Sequence, residues 1–109
     1  MAKLNLEYFD ASIEGSYSDG GIEEELLTLV KDPEYDWFND GRWPVVYHLS
    51  HLRHNILNWY PFDSACSILE IGAGCGALTG LLCTRATIVK AVELTKRRAE
   101  INFERHKKN

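Results

Sequence analysis

The stretch Ile68-Leu69-Glu70-Ile71-Gly72-Ala73-Gly74-Cys75-Gly76 decides how this chain is read. Ser67 to Ile71 predicts a short buried strand, apolar apart from Glu70. Three glycines follow at alternate positions, and Ala77 to Cys83 predicts a helix with Leu78, Leu81 and Leu82 turned inward. A strand entering Gly-x-Gly-x-Gly and then a helix brings bare backbone close to a ligand, where side chains would block the approach. The start of that helix would aim unpaired N–H groups and a positive dipole end at the same spot.

Working downstream, Thr87-Ile88-Val89-Lys90-Ala91-Val92 predicts a second strand. Thr95 is placed to cap a helix over 96–107. A strand–helix–strand connection this short predicts a parallel pair with a right-handed crossover. Glu93 then ends the second strand beside the glycine loop. An acid there can accept two hydrogen bonds from a ribose diol. Glycine loop plus acid describes a site for a nucleoside-containing cofactor.

Two cofactor classes use such a loop. Gly72, Gly74 and Ala77 satisfy the dinucleotide spacing Gly-x-Gly-x-x-Gly/Ala. Gly76 instead makes Gly-x-Gly-x-Gly, and Glu70 lies two residues before the first glycine. A carboxylate there disfavours a pyrophosphate and suits a cationic ligand. Leu69-Glu70-Ile71-Gly72-Ala73-Gly74-Cys75-Gly76-Ala77-Leu78-Thr79 resembles the first motif of class I S-adenosylmethionine-dependent methyltransferases, and Val92-Glu93-Leu94 resembles their second-strand acid. The resemblance covers about residues 66–105. It implies the N-terminal part of a doubly wound, Rossmann-like α/β fold, and S-adenosyl-L-methionine as cofactor. It implies cofactor contacts at Glu70, Gly72, Ala73, Gly74, Gly76, Glu93 and Leu94.

Upstream, Tyr47-His48-Leu49-Ser50 with Arg53 resembles the segment before this motif in bacterial methyltransferase domains, some joined to glycosyltransferases. That adds Tyr47, Ser50 and Arg53 as candidates at the cofactor's methionine end, where a guanidinium can bind a carboxylate. The competing reading of these residues is ordinary helix-surface or cap chemistry. Gly76-Ala77-Leu78-Thr79 also resembles rRNA adenine dimethyltransferases. The resemblance implies further strands, an adenine-contacting acid and an acceptor-facing motif, none of which this sequence contains. The expectation is therefore a domain truncated at 109, weak in cofactor binding and inactive alone, with no identifiable catalytic residue or methyl acceptor.

The remainder is organised as a helical or irregular segment over 1–63, followed by the β-α-β-α unit over 64–109. Residues 1–20 are rich in breakers, with Tyr8, Phe9 and Tyr17 available for local packing. Ile22, Leu26, Leu29 and Val30 predict an amphipathic helix with Glu23-Glu24-Glu25 in its first turn, ended at Asp32-Pro33. Pro44 is suited to open a second helix, with Val45, Leu49, Leu52, Ile56 and Trp59 as its apolar stripe and Pro61 as its end. Trp37, Trp43 and Trp59 are assigned to the core.

The chain has 109 residues and a net charge of −4. Residues 1–63 hold four Lys/Arg against twelve Asp/Glu, hence −8; residues 64–109 hold eight against four, hence +4. That balance disfavours nucleic acid as a partner, and the basic stretch from Lys96 to Lys108 is read as a solvated helix face. Cys66, Cys75 and Cys83 have no CxxC spacing, so three reduced thiols and no metal site are expected. With no apolar run of membrane length and no signal-like N-terminus, a cytoplasmic location without membrane contact follows as expectation. Two strands would leave both sheet edges open, so a homodimer paired through them is a further expectation. Two alternatives stand beside the leading one: a nicotinamide- or flavin-binding oxidoreductase, and an inactive truncated module serving assembly.

Overall fold

The computed structural model describes residues 1–16 and 20–109; Tyr17, Ser18 and Asp19 lie outside the described residues. Among the described residues the chain forms an α/β fold with four α-helices and one two-stranded parallel sheet. A 3-10 turn at Ala11–Ser16 leads to α1 (Gly21–Lys31) and α2 (Trp43–Leu49), and a second 3-10 turn occupies Leu52–Ile56. Then come β1 (Ser67–Ile71), α3 (Thr79–Arg85), β2 (Ile88–Val92) and α4 (Lys96–His106). β1 and β2 pair in parallel from Ser67 opposite Ile88 to Ile71 opposite Val92.

The core is not centred on the sheet. Leu26 of α1, Val45 and Leu49 of α2, Cys75 of the glycine loop and Ile101 of α4 form one buried cluster. Ile22, Leu29, Val30 and Trp37 pack around it. Both sequence segments therefore contribute to a single core, in which Leu26 of α1 and Ile101 of α4 are buried together. One sheet face remains open. Leu69, Ile71, Ile88 and Val92 share it by parallel register, and each is more than half exposed.

Charge completes the α1–α4 contact. Glu23 is 1% exposed, and its Oε1 accepts from Arg98 Nε at 2.6 Å. Arg97 pairs with Glu24 at 2.5 Å. The basic stretch is thus not simply a solvated face: two of its arginines turn to the acids of α1. The opposite charges of the two segments are spent partly on each other.

The second helix departs most from expectation. It ends at Leu49, and Ser50 takes an extended conformation. Ser50 Oγ accepts the Leu52 N–H at 3.4 Å, a local bond that competes with helical continuation. The last carbonyls of α2 go instead to the Arg105 guanidinium, from His48 at 2.8 Å and from Leu49 at 3.1 Å. The tighter period of the following 3-10 turn then breaks the apolar stripe. Val45 and Leu49 are buried, while Leu52, Ile56 and Trp59 are exposed. The core assignment of the tryptophans holds only in part. Trp37 is half-buried against the core, whereas Trp43 is 70% and Trp59 73% exposed.

Two smaller corrections concern helix starts. α3 begins at Thr79, not Ala77, because Gly76 to Leu78 form a turn. Thr95 precedes α4 but makes no side-chain cap; its hydroxyl donates to Glu93 instead. Cys66, Cys75 and Cys83 are free thiols. Among the described residues no helix is long and apolar enough to cross a membrane.

Candidate functional site

The glycine loop leaves β1 at Ile71 and bends over the end of β2. Gly72 N–H and Ala73 N–H both donate to the Val92 carbonyl, at 2.9 and 3.0 Å. Gly74 N–H donates to Glu93 Oε1 at 3.3 Å, and Gly76 N–H to the Ala73 carbonyl at 3.1 Å. Glycine is required at alternate positions because φ is positive at Gly72, Gly74 and Gly76.

The three glycines nonetheless serve different ends. A Cβ at Gly72 or Gly74 would meet nothing within 4 Å, so bare backbone there borders open space. A Cβ at Gly76 would run into the Asn102 side chain and come within 3.0 Å of His106 Nε2. Gly76 is buried and packs the loop against α4. Its predicted place beside a ligand is therefore corrected: it faces the protein interior.

A pocket of about 150 Å³ opens in front of the loop. Of the expected residues, Glu70, Gly72, Ala73, Gly74, Glu93, Tyr47 and Arg53 line it. Gly76, Leu94 and Ser50 do not. Leu94 is half-exposed beyond the strand end. Ser50 is buried, its hydroxyl turned to the Leu52 amide by the break after α2. His48, Cys75, Ala77, Leu78 and Arg98 also line the pocket. His48 belongs to the segment Tyr47-His48-Leu49-Ser50 singled out in the sequence, whereas Arg98 carried no local signal and reaches the pocket through packing of a distant helix.

Two carboxylates define the pocket's chemistry, and each is held by neighbours. Glu70 Oε2 accepts from the Thr79 hydroxyl at 2.5 Å, and Asn102 Nδ2 donates to that hydroxyl oxygen at 2.9 Å. Burial pushes the Glu70 carboxyl above its ordinary range, opposed by the Thr79 bond and by the charge of Arg53. Glu93 Oε2 accepts both the N–H and the hydroxyl of Thr95, at 2.7 and 2.9 Å. Among the described residues Oε1 takes only the long bond from Gly74. An ionised carboxylate offers about four acceptor positions, so Oε1 is the oxygen with room for a ligand hydroxyl.

The cations are committed differently. Arg98, which lines the pocket, is ion-paired with Glu23. The Arg53 guanidinium lies 4.8 Å from the centre of the Tyr47 ring, a cation–π contact at the pocket rim. Cys75 is deeply buried, and burial pushes its thiol up to about 12. That thiol is not an activated nucleophile. Among the described residues no three His, Cys, Asp or Glu are grouped to hold a metal ion.

A second, larger hollow of about 360 Å³ lies between α1 and the end of α4, lined by Trp37, Tyr35, His51 and His106 among others. It lacks both the bare backbone and the convergent carboxylates. The pocket at the glycine loop is therefore the candidate site, although it is the smaller. Compared with models of protein families, with curated proteins and with solved structures, the chain finds no match.

Proposed function

We propose that this chain carries a cofactor half-site of an S-adenosylmethionine-dependent methyltransferase with a doubly wound sheet. The observation that carries the reading is how the loop uses its N–H groups. Gly72, Ala73, Gly74 and Gly76 all direct theirs to acceptors of the chain itself. A loop that cradles a pyrophosphate keeps such groups for the ligand. Here the ligand would meet bare glycine backbone, with Glu70 and Glu93 converging beside it.

That lining fits the ligand chemistry. Glu70 would face the ammonium of the methionine part and Glu93 a ribose hydroxyl. Arg53, at the rim, would face the carboxylate. The pocket's 150 Å³ is below the roughly 300 Å³ of small cofactor sites, so it suits the methionine and ribose portions. When bound, the cofactor supplies an electrophilic methyl group and its leaving group. The residues of this chain contribute binding and orientation: Thr79 fixes Glu70, and Thr95 fixes Glu93. The methyl acceptor is left open by this reading, which is compatible with a cytoplasmic protein.

One observation favours a second reading, a nicotinamide or flavin dinucleotide. Ala77, the small third residue of the dinucleotide spacing, is only 5% exposed, as the close packing at that position of a dinucleotide loop requires. A titration followed by amide NMR separates the two. S-adenosylhomocysteine at millimolar concentration is expected to shift the Gly72 and Gly74 amides and to lose that effect in Glu93→Ala. Shifts with NADH and none with S-adenosylhomocysteine would transfer the assignment to the dinucleotide.

A further inference from the structure

Arg105 of α4 is a part-buried cation. Burial pulls its pKa down to about 10, so it stays protonated at neutral pH. Among the described residues its hydrogen-bond partners are backbone carbonyls. Nη1 donates to the Cys75 carbonyl at 2.7 Å and to the His48 carbonyl at 2.8 Å. Nη2 donates to the Leu49 carbonyl at 3.1 Å.

These carbonyls belong to two separate pieces of chain. Cys75 is in the glycine loop. His48 and Leu49 are the last residues of α2, whose carbonyls lack helical partners and carry the negative end of the helix dipole. A planar fork with fixed donor directions ties the two pieces at one distance and angle. Both sides of the tie reach the pocket. His48 and Cys75 line it, as does Tyr47, whose ring carries Arg53. Next to Arg105, His106 Nε2 hydrogen-bonds the Gly76 carbonyl at 3.1 Å. That contact secures the loop to α4 but does not reach α2.

We propose that Arg105 is a positioning residue for the glycine-loop pocket: its guanidinium holds the wall built by the end of α2 at the correct separation from the loop. Arg105 does not line the pocket and acts through Tyr47, His48 and Cys75. The proposal rests on the cofactor reading for what the pocket binds, and on the hydrogen bonds alone for what Arg105 holds.

The test uses Arg105→Met, which removes the donors, and Arg105→Lys, which keeps the charge without the fork. Two measurements are made on each. In the ligand-free protein, amide hydrogen exchange is expected to quicken together at the end of α2, where Ser50 N–H bonds Val46, and in the loop at Gly76. Exchange in β2 should stay as in the parent. Affinity for S-adenosylhomocysteine is expected to fall about tenfold in Arg105→Met, the loss of a charged hydrogen-bonding anchor. Arg105→Lys should recover part of it. In a double-mutant cycle with Tyr47→Ala the losses should not add, since both remove the same wall. Unchanged exchange at both segments would overturn the proposal. So would faster exchange throughout, β2 included, because Arg105 would then support the whole fold. Additive losses with Tyr47→Ala would overturn it too. If the parent takes up no S-adenosylhomocysteine yet the two segments still loosen together, the tie stands and the cofactor reading fails.

Discussion

Replacing the loop glycines one at a time by alanine should separate binding from stability. At Gly74, φ is +58° and the space a Cβ would enter is open. Gly74→Ala therefore incurs only the left-handed backbone term, about 1–2 kcal/mol. At Gly76, φ is +84° and a Cβ would collide with Asn102 and crowd His106. The same backbone term then adds to overpacking, about 1–3 kcal/mol. Asn102 cannot move cheaply. It is 7% exposed, and it donates to Thr79, which in turn holds Glu70. Gly76→Ala should thus cost about 2–5 kcal/mol in total, a large share of a small domain's stability. Urea unfolding followed by circular dichroism reads both. Gly74→Ala should keep most of the parent's midpoint yet lose S-adenosylhomocysteine binding, because its methyl group enters the pocket. Gly76→Ala should lower the midpoint far more. Equal destabilisation by the two, or a folded Gly76→Ala with full stability, would refute the assignment of Gly76 to packing.

Thr95→Val removes the hydroxyl bond to Glu93, which should cost about 1 kcal/mol of stability and weaken S-adenosylhomocysteine binding severalfold in the same NMR titration. Glu23→Ala removes the carboxylate buried against Arg98 in the α1–α4 contact; thermal unfolding should show a loss of about 3 kcal/mol, the lower end for breaking a buried pair. Acid should destabilise the fold through His106, whose pKa burial and the Arg105 charge pull from 6.5 to about 4. The unfolded chain then binds the proton first, so this stability, about 3 kcal/mol at most, is present above pH 6.5 and lost as pH falls toward 4. His106→Gln should flatten that part of a pH–stability curve measured by urea unfolding; an unaltered slope would count against it.

The sheet and its loop were legible because their signals are local. Ser67–Ile71 and Ile88–Val92 alternate with turns of unmistakable composition, and β1 matches the expected span. The parallel pairing followed from connection length alone. What the sequence could not show was which glycine faces outward, since the difference lies in Asn102 and His106, residues of another helix. The stripe from Val45 to Trp59 read as one helix because its period is helical. The break came from Ser50 and from the distant Arg105, which takes the carbonyls at the end of α2. Arg98 reaches the pocket by the same long-range route. The basic stretch read as solvated because Glu23 and Glu24, its partners, lie more than seventy residues away in the chain.

The central claim is that the loop between Glu70 and Glu93 receives the cationic methionine end of a nucleoside cofactor. Amide NMR of the chain titrated with S-adenosylmethionine, and separately with NADH, tests it most directly. The account predicts saturable shifts at Gly72, Gly74 and Glu93 with S-adenosylmethionine, abolished in Glu93→Ala and weakened in Glu70→Gln. Saturable shifts at those residues with NADH alone, or none with S-adenosylmethionine at millimolar concentration, would contradict it.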